Sequence, residues 1–126
     1  MGPLSTAKAI AFVLTRDRAL TKPFYADILG LRLLSEDDFA VVFDLNGIML
    51  RLTTVAEHVA YPHSVLGWQV PDIVATSRAF QAKGVVFTMY PGFGQDDLGI
   101  WTSPDDSTKV NWFADPEGNV LTMTEG

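Results

Sequence analysis

Cysteine is absent from the 126 residues, which excludes disulfides, thiolate metal sites, thiol nucleophiles and iron–sulfur ligation. Any metal would have to be held by His, Asp or Glu, and the chain has only two histidines. Positive charge is scarce too: nine Lys and Arg stand against fifteen Asp and Glu, a net charge of -6. Binding a phosphate backbone needs a Lys/Arg-rich face, and these nine residues are scattered, so a nucleic-acid partner is excluded. No apolar run approaches the ~20 residues of a membrane helix, and the first residues lack a basic stretch followed by an apolar one. The expectation is a cytoplasmic protein with no membrane partner.

What is present is a globular composition, 48% hydrophobic and 19% charged. The length matches one compact domain of about 100–150 residues. Ala9 to Leu14 is a short apolar run of the kind that forms a strand covered on both faces. From Arg18 to Leu29 the apolar residues Leu20, Phe24, Ile28 and Leu29 take helical spacing, with Pro23 in the first turns and Gly30 as the stop. Strands follow at 31–34, 40–45 and 48–53, the last two joined by Asn46-Gly47, a strong hairpin signal.

After a linker containing His58 and His63 the same order begins again. Val65 to Val70 reads as a strand, Ile73 to Lys83 as a helix stopped by Gly84, and 85–89, 99–102, 110–113 and 119–124 as strands. Asp115-Pro116-Glu117-Gly118 supplies a turn before the last one, with Pro setting φ and Gly allowing the bend. The two halves superpose by subtraction. Asp17 and Asp72 differ by 55, and the same offset carries Tyr25 onto Phe80; an offset of 71 carries Gly47 onto Gly118 and Leu50-Arg51-Leu52 onto Leu121-Thr122-Met123. Gly30 answers to Gly84 with one residue fewer in the second helix. The reading is an α+β chain of two βαβββ modules, residues 8–55 and 62–126, within a single domain spanning 1–126.

Two stretches carry a family resemblance. Phe24-Tyr25-Ala26-Asp27-Ile28-Leu29-Gly30-Leu31 resembles the FY…LGL helix exit, and Trp112-Phe113-Ala114-Asp115-Pro116-Glu117-Gly118-Asn119 resembles the F-x-DP(D/E)GN turn, of the vicinal oxygen chelate superfamily. That group includes glyoxalases, bleomycin-resistance proteins and extradiol dioxygenases. The resemblance implies that curved mixed sheets from two modules line one cavity. It also implies a divalent metal held by His, Glu or Gln from the first and last strand of each module. Carried over, those positions are Ile10, Arg51, Val65 and Thr122. None of the four can act as a ligand of that kind. Ile10 and Val65 have no donor atom, Arg51 has no lone pair to offer, and a neutral Thr122 is a poor lone ligand. A slip of one residue adds only the hydroxyl of Ser64. No metal and no cofactor are therefore expected.

In the strand register that the resemblance implies, the inward positions are mostly apolar, as in small-molecule pockets. The candidate ligand contacts are Phe12, Met49, Arg51, Gln69 and Thr122 on the strands, with Tyr90, Phe93 and Trp101 near the mouth. Pro91-Gly92-Phe93-Gly94 resembles a mobile loop able to close over a flat ligand. Arg51 either supplies positive charge to a ligand oxygen or pairs with one of the acidic residues. His63 is either a solvent-exposed residue or a ligand contact at the rim. The runs Glu36-Asp37-Asp38, Asp96-Asp97 and Asp105-Asp106 are either solvated loop charge or an acidic rim for a cationic ligand.

The function expected is metal-independent binding of an apolar or aromatic small molecule, in the manner of drug- or metabolite-sequestering resistance proteins, by a homodimer. The alternative is a lyase, isomerase or dioxygenase of the same superfamily with an atypical or metal-free active site.

Overall fold

The computed structural model of the protein describes residues 2–126, and the chain divides into two compact units, residues 1–58 and 59–126. The first unit runs β1 (Ile10–Thr15), α1 (Arg18–Pro23), a π-helical turn (Phe24–Ile28), β2 (Leu33–Glu36), β3 (Ala40–Leu45) and β4 (Ile48–Thr54). Its strands form one mixed sheet in the order β1-β4-β3-β2, with β1 parallel to β4 and the other pairs antiparallel. The hairpin between β3 and β4 turns through Asn46 and Gly47, both at positive φ (56° and 111°), as a tight two-residue hairpin demands. The second unit runs β5 (Ser64–Gln69), α2 (Ile73–Ala82), β6 (Trp101–Thr102), β7 (Lys109–Ala114) and β8 (Val120–Glu125), in the order β5-β8-β7-β6. Each unit is thus strand, helix and three strands, and the pair is an α+β architecture of two four-stranded mixed sheets.

Asp17 and Asp72 open the two helices in the same way. Each sits in extended backbone, and its carboxylate accepts a first-turn amide proton, from Ala19 (3.1 Å) and Ala75 (3.0 Å) respectively. The helical segments then pack matching aromatics against their sheets, Tyr25 fully buried and Phe80 partly so. Tyr25 packs on Phe43 with ring centroids 6.1 Å apart, and Phe80 packs on Phe113 at 5.7 Å. Phe43 stands opposite Leu50 and Phe113 opposite Leu121, so the repeat seen in the sequence is a repeat of packing. Val41, Phe43, Leu50, Leu52 and Tyr25 form the core of the first unit, all with no exposed surface.

Four expectations are corrected. The helix over 18–29 is not one α-helix: Pro23 is its last α-helical residue, and the Leu29 amide donates to the Phe24 carbonyl five residues back (2.9 Å). The extra residue in the first module, relative to the second, is taken up in this π turn, which is how a one-residue insertion is absorbed in a helix without shifting its ends. The following strand starts at Leu33 rather than Leu31, because the Leu31 amide is spent on the Tyr25 carbonyl past Gly30 (φ 73°).

The strand expected at 85–89 does not form. Only Phe87 bridges to Phe113, and Thr88 N–H donates to the Trp112 carbonyl (2.8 Å), before the chain leaves β7. It returns as the two-residue β6, so the edge of the second sheet is covered by two fragments with residues 89–100 looping out between them. β1 is likewise not covered on both faces. It is an edge strand whose side chains alternate, with Val13 and Thr15 buried and Ile10, Phe12 and Leu14 exposed.

Candidate functional site

Each sheet has one face under its helix and one face open, and strand register decides which side chains reach the open one. In the first unit, Phe12 lies opposite Arg51, which lies opposite Val42; Ile10 is beside Met49, and Leu14 is beside Thr53. Phe12 is 60% exposed and Ile10 46% exposed, an apolar stripe of a kind that folding alone does not favour. Beside one end of this stripe a cleft of about 290 Å³ is lined by Lys8, Ala9, Ile10, Leu34, Asp44, Gly47, Ile48 and Met49. Arg51 is half-buried. Its guanidinium forms no ion pair or hydrogen bond among the described residues, where the carboxylates of Glu36, Asp37 and Asp44 are engaged by other partners.

Those engagements account for the acidic runs. Glu36 pairs with Lys22 (2.6 Å) and Arg18 (3.2 Å), and these hydrogen bonds hold its carboxyl below the usual range. Asp37 accepts the Ala40 and Phe39 amides, which lower its carboxyl too, with a smaller contribution from the charge of Arg51. Asp96 accepts from Leu98 and Ile100, and Asp105 from Ser103 and Ser107. At least one carboxylate in each run folds its own turn.

In the second unit the open face of β8 carries Thr122, with Gly67 opposite on β5 and Trp112 opposite on β7. A register shift between Ser64 and Leu66 lets Ser64, not Val65, reach across: its hydroxyl meets the Thr122 hydroxyl at 2.5 Å. Trp112 begins an aromatic cluster. Tyr90 and Trp112 meet edge to face at 5.4 Å, Phe93 and Trp112 do so at 5.9 Å, and Tyr90 and Phe93 are tilted against each other at 5.7 Å. These three rings, with Pro62, His63 and Ser64, line an open pocket of about 220 Å³.

The loop that carries Phe93 is pinned. Gln95 accepts from the Tyr90 amide (2.6 Å) and donates through Nε2 to the Thr88 (2.9 Å) and Gly99 (2.8 Å) carbonyls, tying both ends of the excursion together. Gly92 and Gly94 flank Phe93 at positive φ (85° and 71°), so the ring is presented by backbone that other residues adopt only with strain.

Of the eight sequence-derived contacts, the structure brings Tyr90 and Phe93 together in this pocket, with Thr122 one hydrogen bond away through Ser64. Phe12, Met49 and Arg51 share the open face of the first sheet. Gln69 is exposed and donates to the Gly126 carbonyl (3.2 Å), and Trp101 is paired with Val110; neither lines the pocket. Trp112 is missing from the eight, although its place two residues from Val110 on an alternating strand is enough to find it. His63 is both exposed and at the pocket wall.

Two βαβββ units with one open sheet face each define a paired-module fold. The sequence model of the Glyoxalase/Bleomycin resistance protein/Dioxygenase superfamily matches residues 8–123, and the chain belongs to that superfamily. Lactoylglutathione lyase from Agrobacterium tumefaciens is similar in structure, with a TM-score of 0.73, 18% identity, and 96% of this chain and 94% of that one covered. The genomically encoded fosfomycin resistance protein of Listeria monocytogenes gives 0.74 at 10% identity, with 96% and 93% covered. A superfamily member from Sphaerobacter thermophilus gives 0.74 at 17% identity, with 98% and 99% covered. At such identities the likeness is one of fold. No curated protein matches the chain.

The divalent metal implied for this fold does not fit the residues present. At the four ligand positions Ile10 and Val65 are hydrocarbon, Arg51 is a cation, and the Thr122 hydroxyl is hydrogen-bonded to Ser64. Among the described residues no three His, Cys, Asp or Glu side chains come together.

Proposed function

We propose that the protein binds a flat apolar or aromatic small molecule without a divalent metal, as a drug- or metabolite-sequestering member of its superfamily. The observation that carries this reading is the pocket of Tyr90, Phe93 and Trp112, with two rings edge-on to the third around an open volume of about 220 Å³. Three aromatic walls offer apolar surface to a flat ligand, and a volume below the ~300–1,000 Å³ of drug-sized sites suits a one- or two-ring ligand. The proposal keeps Thr122, Gln69 and Trp101 as further candidate contacts of the second unit, and Phe12, Met49 and Arg51 as candidate contacts on the open face of the first unit taken by itself. A cytoplasmic location, a single functional domain over residues 1–126 and pairing as a homodimer belong to the same proposal.

The test is a thermal-shift screen of one- and two-ring aromatic compounds, followed by calorimetry of the hits with and without chelator. Saturable binding that chelator leaves unchanged and that Phe93→Ala weakens supports the reading. A stoichiometric divalent-metal site of submicromolar affinity would sink it. A second reading, a metal-free lyase or isomerase, is favoured by one observation: the guanidinium of Arg51, unpaired among the described residues, on an open apolar face. Unchanged turnover in Arg51→Ala would end that reading.

A further inference from the structure

Arg51 is anomalous for an acidic protein. With fifteen carboxylates against nine Lys and Arg, cations are expected to find partners, and the others near it do. Arg18 bonds Glu36 and the backbone carbonyls of Asp37 and Asp38, Lys22 bonds Glu36, and Lys8 reaches the Gly47 carbonyl. Arg51 makes no such contact among the described residues, yet it is half-buried between Phe12 on β1 and Val42 on β3. An arginine half-buried on an apolar face with no ion-pair partner leaves its charge uncompensated, and an anion arriving there supplies the missing interaction. Asp37, the carboxylate that senses its charge, is turned to the Phe39 and Ala40 amides (2.8 and 2.9 Å).

From this, and resting on the small-molecule reading above, we infer that Arg51 is an anion site that takes the carboxylate of a ligand whose ring-sized apolar body lies along Phe12 and its neighbours. Three features select a carboxylate. The guanidinium presents two parallel N–H groups to a planar pair of oxygens. The strand partners of Arg51 are Phe12 and Val42, with no second cation among them to balance a dianion such as a phosphate monoester. The flanking exposed surface, Phe12, Ile10 and Leu14, is hydrocarbon and requires an apolar body rather than a sugar.

The test uses the full chain with 2-naphthoate and its neutral isostere 2-naphthamide, read by calorimetry and by amide NMR shifts. The expected result is saturable binding of naphthoate at least tenfold tighter than naphthamide, with shifts at Phe12, Val42 and Arg51. Arg51→Met, which keeps the apolar stem, removes that preference, and Arg51→Lys, which keeps charge without the fork, restores part of it. If Arg51→Met misfolds, the naphthoate-to-naphthamide ratio and the shifted residues of the wild-type chain decide alone. Equal affinities, or shifts confined to Tyr90, Phe93 and Trp112, would overturn the anion site and leave the small-molecule reading standing. Absence of binding by either probe would count against both.

Discussion

Phe12 and Arg51 are direct register partners across the parallel β1–β4 pair, and the equivalent pair in the second unit is Gly67 and Thr122. The offsets of 55 and 71 that relate the two halves map one pair onto the other, so the scaffold is duplicated while the chemistry at its centre is not. The first unit offers a ring and a cation. The second offers a hydroxyl beside a bare backbone, where a Cβ added at Gly67 would stand 3.2 Å from the Thr122 carbonyl oxygen and has little room. The second unit draws its aromatic surface from elsewhere, from β7 and the loop after Phe87.

That loop depends on Gly99. Its φ is +70°, and a Cβ there would meet the Phe87 Cβ at 2.8 Å, whereas Gly94 at +71° faces open space. Gly99→Ala is expected to destabilise the protein by about 2–4 kcal/mol, combining left-handed strain with overpacking, and Gly94→Ala by about 1–2 kcal/mol. Urea unfolding of both variants checks this. Equal losses would contradict the close approach to Phe87.

The Asp115–Asn119 turn is a second structural determinant. The Asp115 carboxylate, 4% exposed, accepts from the amides of Glu117 (2.9 Å) and Asn119 (3.0 Å) and from the Asn119 side chain (2.9 Å). Asp115→Ala strands those donors and is expected to remove roughly 2–4 kcal/mol, while Asp115→Asn, which keeps an acceptor oxygen, loses less. Ligand affinity per folded molecule should be unchanged in both. A loss of binding without a loss of stability would show that this turn acts on the ligand.

Asp105 gives a pH signature. Hydrogen bonds from the Ser103 hydroxyl first, then from the Ser107 hydroxyl and amide, pull its carboxyl from 3.8 down to about 2. A depressed folded value means that the folded state binds the proton less readily than the unfolded one. The stabilisation is therefore complete above 3.8 and is lost as pH falls through about 2. Carbon NMR of the Asp105 carboxyl should show a midpoint near 2, and one near 3.8 would mean that the serine contacts do not persist in solution.

Much of this fold is legible in the sequence because its signals are local. A continuous apolar run marks β3, Asn46-Gly47 fixes its turn into β4, and the 55-residue offset pairs Tyr25 with Phe80 without knowledge of what either ring packs on. The spacing also shows one extra residue before Gly30, but not that a π turn houses it, since that depends on how Tyr25 must seat against Phe43. Residues 85–89 have strand composition, yet Gln95 and Gly99 divert the chain, and that choice is made by contacts distant from the segment. At the site, the unfitness of positions 10, 51, 65 and 122 for a metal is a matter of residue type and is read directly. The unpaired state of Arg51 is not, because it arises from where the carboxylates of Glu36, Asp37 and Asp44 are held. Trp112 stands out in the sequence as part of a turn motif, and only the alternation of β7 carries it onto the open face.

Gln95 is the strongest handle on the aromatic pocket. Its side chain accepts one amide proton and donates to two carbonyls, so it closes the 89–100 excursion as a strand pairing would. Gln95→Ala leaves the Tyr90 amide without that acceptor and frees the backbone on which Phe93 rides. The expected result is faster hydrogen exchange at Tyr90, at least tenfold weaker binding of aromatic ligands, and a smaller fall in global stability of about 1–2 kcal/mol, because local opening of a loop need not unfold the sheet. Gln95→Glu is the sharper probe. The carboxylate can still accept from Tyr90, but its second oxygen meets two carbonyls where Nε2 had donated, so the folded state favours the protonated acid. Its carboxyl value rises on folding, so the loop of this variant should be held tightest below the ordinary glutamate value and loosen as pH rises above it through the raised folded value. Exchange at Tyr90 that does not depend on pH in Gln95→Glu, beyond the intrinsic exchange rate, would show that the Gln95 bridge does not hold the loop.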